Sequence, residues 1–134
     1  MSRLFFIAIL SVVALCSGCS GKGAAQAADS ADNFIENYYR ADYAQAMNFV
    51  EPSLGELIEQ VQQSIDELPE DVKEELVSLS SQNEVVRKDL QEGENGEVMV
   101  WYDVIIPAEG EIVNHLVTVV FSEERQRWEV VEIR

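Results

Sequence analysis

Cysteine and histidine are scarce in this chain of 134 residues, and the shortage excludes several kinds of active site. There are two cysteines and one histidine, His115. Cysteine-based and paired-histidine metal sites lack ligands, and one histidine without a nucleophile motif gives no Ser-His-Asp arrangement. The sequence also lacks a glycine-rich phosphate loop and the acidic spacing of a calcium loop. We therefore predict neither a metal nor a cofactor.

Positive charge is the second shortage. The chain has nine lysines and arginines and 25 acidic residues, which gives a net charge of −16. Nucleic-acid backbones and anionic head groups would be repelled, so we expect no nucleic-acid partner. The excess favours solubility, with a cationic partner or the binding of a divalent ion as the alternatives. A hydrophobic content of 47% argues against general disorder, and the length suits one domain.

Long hydrophobic runs are also lacking. The longest extends from Leu4 to Leu15 and is interrupted only by Ser11, whereas a membrane-spanning helix needs about 20 apolar residues. Its length, after the basic Arg3, is typical of a signal-peptide core. Ala-x-Ala-like sites between residues 24 and 28 leave an ordinary soluble-secretion cut as an alternative.

The residues after this run resemble a bacterial lipobox. Small residues, Ser17 and Gly18, precede Cys19, although Cys16 stands where the pattern usually has leucine. The resemblance implies a signal peptide over residues 1–18 and a lipid-anchored Cys19. Acylation would also remove an exposed lone thiol, which is a liability in an oxidising compartment.

The resemblance extends to localisation. Ser20, rather than aspartate, follows the cysteine, which implies the periplasmic face of the outer membrane. Small residues over 19–29 predict a flexible tether, and residues 30–134 are predicted to form one folded domain. The membrane, reached through the lipid, is thus the first expected partner.

Helical periodicity dominates the first half of that domain. Ser30 is a plausible N-cap, followed by Phe34, Ile35, Tyr38 and Tyr39 at helical spacing. Asp42 starts a short second helix. One apolar stripe then predicts a helix of about four turns, and the helix after Pro69 has its own predicted buried face. The stripe consists of Leu54, Leu57, Ile58, Val61, Ile65 and Leu68, and the later face of Val72, Leu76 and Leu79.

The apolar period changes to two after Asn83, which predicts strands. Four are expected, with a hairpin at Asn95-Gly96 and turns at residues 107–110 and 123–126. Their ranges are Val85–Leu90, Val98–Ile106, Ile112–Phe121 and Trp128–Ile133. Helices before an antiparallel meander predict an α+β fold.

Two short phrases resemble the nuclear-transport-factor-2-like fold, and within it small bacterial lipoproteins of unknown function once labelled lumazine-binding. Asp42, Tyr43 and Ala46 match the family's glycine-aspartate-tyrosine-x-x-alanine, with Ala41 in place of the glycine. The family's second phrase is a lysine or arginine followed by tryptophan, any residue and valine. Arg127, Trp128 and Val130 match it. The resemblance implies a cone-shaped curved sheet closed by the first helices, and no settled activity.

Enzymes of this fold carry out proton chemistry inside the cone with aspartate, tyrosine or histidine, so we name Tyr38, Asp103 and His115 as candidate pocket residues. His115 shares a strand face with valines and is either a pocket acid or base or a hydrogen-bonded structural residue. Asp103 is either a buried general base or part of a solvent-facing surface. Aromatic packing of the first helix on the sheet explains Tyr38 without a role in a pocket.

If Asp103 faces solvent, Met99, Trp101 and Ile105 share its face and form a candidate interface. It would serve a homodimer or another envelope protein. We therefore expect a non-enzymatic binding or interaction module, with ligand unknown. The alternatives are a pocket enzyme using Asp103 or His115, which requires both groups within reach of one substrate, and a purely structural accessory.

Overall fold

Four helices precede a four-stranded antiparallel sheet in the computed structural model, which describes residues 23–134. The predicted α+β fold class is thereby confirmed. The predicted signal peptide and Cys19 lie outside the described residues. Within residues 23–134, no helix combines the length and apolar character that crossing a bilayer requires.

The first helix, α1, covers residues 23–39 and therefore includes most of the predicted tether. The tether prediction was wrong for residues 23–29. Ala27 is 0% and Ala28 1% exposed, and Phe34 and Ile35 follow on the buried side of the same helix. Alanine has the highest helix propensity and is small enough for close packing against a sheet, so a segment poor in apolar bulk still contributes to the core.

Three short segments connect α1 to the sheet side of the molecule. Asp42 caps α2 (Tyr43–Ala46), accepting a hydrogen bond from the Gln45 N–H at 3.3 Å. A 3-10 turn, Met47–Phe49, follows. Val50 then forms a parallel bridge with Val130, which fixes the end of this connection to the last strand.

Two further helices, α3 (Pro52–Asp66) and α4 (Glu70–Ser80), form a helical hairpin. Glu51 caps α3 by accepting from the backbone N–H of Ser53 and Leu54. Both helices lie where the periodicity placed them. Their apolar faces are much less buried than predicted, because only Ile58 of the α3 stripe is buried. Six apolar side chains of the hairpin are exposed, namely Leu57, Val61, Leu68, Val72, Val77 and Leu79.

The sheet has the order β1-β2-β3-β4, with every neighbouring pair antiparallel. Gly96 (φ +83°) and Gly110 (φ +66°) lie in its first two turns, where glycine adopts positive φ without strain. The first connection is longer than a two-residue turn, because the Gly93 N–H donates to the Glu97 carbonyl at 2.7 Å. The strands are β1 (Glu84–Glu92), β2 (Val98–Ile106), β3 (Glu111–Ser122) and β4 (Arg127–Ile133).

The core lies between α1 and one face of the sheet, which we call the inner face. Strand residues alternate between faces, and β2 is buried at Val98, Val100, Tyr102 and Val104. From β3, Val117 and Val119 are fully buried opposite Val100 and Val98. The other face of the sheet, the outer face, carries the half-buried residues of β2.

Candidate functional site

The inner face, where the family resemblance implies a pocket, is filled by side chains. Phe34 and Ile35 of α1 belong to the same buried cluster as Val100, Tyr102 and Val117. Each of these five residues is at most 1% exposed. The interior between α1 and the sheet is therefore close-packed, and the reactive groups of the inner face lie around its margin.

One polar chain crosses this margin from α1 to β1. The Tyr102 hydroxyl donates to Asp32 Oδ1 at 2.6 Å, and Arg87 Nη2 lies 3.3 Å from Asp32 Oδ2. Burial, followed by the hydrogen bond to Asp32, raises the pKa of Tyr102 well above its ordinary value. The phenol therefore remains a neutral donor. Sequence reasoning missed Asp32 and Arg87, although Arg87 interrupts the apolar inner positions of β1.

His115 lies on the inner face opposite Tyr102, and both of its ring nitrogens are occupied. Nδ1 is 2.8 Å from the Arg134 carbonyl, and Nε2 contacts the Tyr39 hydroxyl. A carbonyl only accepts, so Nδ1 carries the proton and Nε2 accepts from Tyr39. This arrangement matches the structural interpretation of His115, which joins α1, β3 and the end of the chain.

Tyr38 is the centre of an aromatic cluster at the end of α1. Its ring centroid lies 5.8 Å from Phe34, 5.5 Å from Tyr39 and 5.3 Å from Tyr43, the last two in edge-to-face geometry. Burial, with Tyr38 and Tyr43 next in effect, raises the pKa of Tyr39. The structure thus brings the candidate residues Tyr38 and His115 together through Tyr39, in an arrangement typical of aromatic packing.

Asp103 lies on the opposite face from His115. It pairs in register with Asn114, whose side-chain amide donates to its carboxylate, and Lys88 Nζ lies 3.8 Å away. A cavity of about 430 Å³ extends over this part of the outer face. Both Asp103 and His115 are among the residues that line it, but the ring nitrogens of His115 bond to Tyr39 and Arg134. The structure therefore does not direct the two candidate acid–base groups at one substrate.

The three predicted interface residues lie together on the outer face. Trp101 is in register with Leu116, and Met99 and Ile105 are two and four residues away along the same face of β2. We call Met99, Trp101, Ile105 and Leu116 the outer patch. All four are half-buried, and apolar side chains exposed further along the face, such as Ile112 at 64%, extend the apolar surface.

Charges around the outer patch are more balanced than elsewhere. Four basic residues border the outer face, and each has an acidic partner within 4 Å. Lys88 pairs with Asp103, and Arg134 Nε lies 2.6 Å from Glu132. The remaining two, Arg125 and Arg127, share Glu129. Glu84 and Asp89, in register with Ile105 and Trp101, add two further acidic residues to this face, which therefore carries a small share of the net charge of −16.

Glu129 is a buried carboxylate on the outer side of β4, only 2% exposed. Arg125 makes three hydrogen bonds to it between 2.8 and 3.1 Å, and Arg127 Nε a fourth at 2.8 Å. The Arg125 guanidinium holds the pKa of Glu129 below its usual range, with help from Arg127 and against the opposing effect of burial. Sequence reasoning missed this cluster, whose signal is a glutamate that follows two arginines by four and two residues.

Within residues 23–134, no group of three or more histidine, cysteine, aspartate or glutamate side chains is placed to hold a metal ion. Comparison of the chain with protein-family models, with curated proteins and with solved structures gives no match. The lipoprotein and nuclear-transport-factor-2-like resemblances therefore depend on the sequence motifs alone.

Proposed function

We propose that this chain is a lipid-anchored interaction module of the bacterial cell envelope, similar to the small nuclear-transport-factor-2-like lipoproteins. It would be held at the periplasmic face of the outer membrane through Cys19 and act by binding another protein chain rather than by catalysis. The observation that carries the proposal is the outer patch, an apolar surface with locally balanced charges on a strongly acidic molecule.

The partner that we favour for the outer patch is a second copy of this chain. Two copies with excess acidic charge repel one another over most orientations. Contact through the outer face brings together a surface that carries a small share of the net charge and buries Trp101, a residue type enriched in interface hot spots. A different envelope protein at the same face is the alternative.

The arrangement of the pocket candidates favours binding over an isomerase-like or cyclase-like enzyme. General acid–base catalysis needs both groups within reach of the same substrate. Asp103 faces outward with Asn114 and Lys88, and His115 uses both ring nitrogens within the fold. His115 therefore has no free ring nitrogen, and the Asp103 carboxylate lies on the opposite face of the sheet from its ring.

The structure around α1 supports cleavage before Cys19 over the alternative cut near residues 24–28. That alternative cut would remove the first residues of α1 and, if made after Ala27, the fully buried Ala27 as well. Cleavage before Cys19 keeps the whole packed helix. Mass spectrometry of the mature N-terminus tests the anchor, with an acylated Cys19 as the expected result, retained in Cys16→Ser and lost in Cys19→Ser. An unmodified mature N-terminus beyond residue 23 would contradict it.

Disulfide cross-linking in intact cells tests the outer face. An acylated Cys19 leaves an introduced cysteine as the only free thiol, so Thr118→Cys, in register with Met99, is expected to give a covalent dimer. Adding Trp101→Glu should abolish that dimer, and Leu79→Cys on α4 is the control that should not cross-link. Equal cross-linking from both positions, or none from Thr118→Cys, would contradict a second copy at the outer face.

A further inference from the structure

The hairpin of α3 and α4 leaves an apolar groove open at the end of α1. One cavity of about 500 Å³ lies between the two helices, and an adjoining one of about 690 Å³ extends to the end of α1. Both are lined by Ala41, Gln62 and Val77. We call this pair of cavities the hairpin groove. Ile65 and Leu76 add apolar surface to its first part.

Val77 within the groove is 55% exposed, and apolar side chains continue beyond the groove along the hairpin. Leu57 is 59% exposed, and Val61, Val72 and Leu68, the last in the connection between the helices, are between 37% and 40% exposed. Helices this amphipathic normally bury their apolar stripe, and a contiguous exposed apolar surface with a polar border is typical of a binding site.

The border of the groove has more acidic than basic residues. Asp66, Glu70 and Glu74 line its first cavity, and Asp42 lines the second together with the basic Arg40. Lys73, the only basic residue of the hairpin, lies 3.7 Å from Glu70 and is already paired. Over residues 52–80 the acidic residues are Glu56, Glu59, Asp66, Glu67, Glu70, Asp71, Glu74 and Glu75.

This charge decides between the occupants that an apolar groove could accept. A second hairpin brings the same acidic residues to the same place and is repelled, as is an anionic lipid surface. A cationic amphipathic helix satisfies both features, because its apolar stripe fills the groove and its lysines or arginines meet the acidic border. We propose that the hairpin groove binds a basic amphipathic helix of a partner protein.

The position of the groove relative to the predicted anchor fits such a partner. Residue 23 begins the described part of α1, and the groove lies at the other end of that helix, where Asn37, Arg40 and Ala41 line it. Seventeen helical residues span about 25 Å. If Cys19 is acylated, three residues separate it from residue 23, so the groove lies at the end of α1 that is farther along the chain from the lipid. The groove proposal rests on the proposed function as an interaction module and adds the chemistry of the partner.

A peptide-binding assay tests the groove. The probe is a leucine–lysine helix of about 15 residues, which matches the length of α3, labelled for fluorescence anisotropy and added to the mature chain in phosphatidylcholine nanodiscs. Empty nanodiscs supply the background, and a scrambled peptide of the same composition removes the apolar stripe but not the charge. We expect the helical peptide to bind and the scrambled one to bind at least about tenfold more weakly, since tenfold corresponds to about 1.4 kcal/mol, which the burial of a single leucine supplies.

Two pairs of matched variants locate the binding. Val77 lines both cavities, so Val77→Gln should weaken peptide binding about tenfold. Leu79 on the same helix lies outside the lining, so Leu79→Gln should leave peptide binding unchanged. Glu74→Gln should weaken peptide binding more than Glu59→Gln does, and added salt should reduce the difference between these two variants. Binding equal to the scrambled peptide, or equal effects of Val77→Gln and Leu79→Gln, would overturn the proposal.

The outcome can be separated from that of the proposed function. Peptide binding is measured on the nanodisc protein, and the acylation of Cys19 and the cross-linking of Thr118→Cys are measured without peptide. If the peptide does not bind while Cys19 is acylated and Thr118→Cys forms the cross-linked dimer, only the groove proposal is wrong. If Thr118→Cys gives no cross-linked dimer while Val77→Gln weakens binding of the peptide, the groove proposal stands and the outer face is not the dimer contact.

Discussion

At the scale of single residues, the most strongly held charge is Glu129. A carboxylate in so buried a position would be costly without partners, and four hydrogen bonds from Arg125 and Arg127 provide them. Arg127 also reaches the Val50 carbonyl at 3.4 Å, which ties the cluster to the segment before α3. The cluster therefore stabilises the junction between β4 and the helices.

Glu129→Gln should lower the free energy of unfolding at pH 7 by about 1–3 kcal/mol, the range for charge-assisted hydrogen bonds. Because the pKa of Glu129 is lowered in the folded state, its contribution is present above the unfolded pKa and is lost as pH falls through the folded pKa. The difference between wild type and variant should therefore shrink as the pH falls, as measured by urea unfolding from pH 7 to about pH 2.5.

The control for this prediction is Glu132→Gln on the same strand. Glu132 forms one pair with Arg134, and both side chains are exposed to solvent. Exposed pairs contribute little, so the change should stay below about 1 kcal/mol at every pH. Equal effects of the two substitutions at pH 7 would mean that the Glu129 cluster does not stabilise the fold.

Residue roles were only partly accessible from the sequence. Alternation along β3 correctly put His115 on a face with Val113 and Val117, and alternation along β2 put Asp103 on the face of Trp101. The partners of these groups were not accessible, because Tyr39 lies 76 residues from His115 and Asp32 lies 70 from Tyr102. No local pattern specifies contacts of such separation.

At the scale of elements, α1 shows how packing can outweigh composition. The segment 19–29 has the small residues of a linker, and a flexible tether was the natural prediction. Residues 23–29 are helical instead, since Ala27 and Ala31 are both fully buried on the same face as Phe34 and Ile35. Alanine side chains leave room for the helix to approach the sheet closely.

Ala27→Leu should destabilise the protein by about 1–3 kcal/mol, because three added carbon atoms have no room in a close-packed core. Ala25→Leu is the matched control on the exposed side of the same helix and should stay within about 0.5 kcal/mol. Urea midpoints measure both. Identical midpoints for the two variants would show that residues 23–29 behave as a tether in solution.

The α3–α4 hairpin shows the opposite discrepancy. Its helices were predicted with their apolar stripes, and both form where Pro52 and Pro69 allow them to begin. The apolar stripes of the two helices are nevertheless largely exposed, because α1 already covers the inner face of the sheet. Periodicity determines which side chains share a face of a helix, but not whether another element covers that face.

At the scale of the whole molecule, the charge distribution is uneven. Acidic residues dominate the hairpin, whereas four of the basic residues and their acidic partners border the outer patch. A net charge of −16 destabilises the compact state through self-repulsion. Most of the hairpin's acidic residues are exposed to solvent, where salt can screen them.

Stability should therefore rise with ionic strength. Raising NaCl from about 20 mM to about 300 mM shortens the Debye length from roughly 20 Å to below 10 Å, and we expect a gain on the order of 1 kcal/mol in urea unfolding at pH 7. Sucrose in place of salt controls for effects that are not electrostatic. A loss of stability with salt would mean that the attractive pairs, including those of Glu129, outweigh the repulsion.

The sequence by itself determined the elements that depend on local chemistry: the α+β order, the strand ranges to within two residues, the turns at Gly96 and Gly110, and the shared faces within each strand. Register between strands was decided only in three dimensions. With Ile106 opposite Glu111 across the turn, Asp103 faces Asn114, and His115 lies on the other side of the sheet. A shift of one residue would have put both groups on one face. Long-range packing, which also left the hairpin uncovered, thus decided where a site could form.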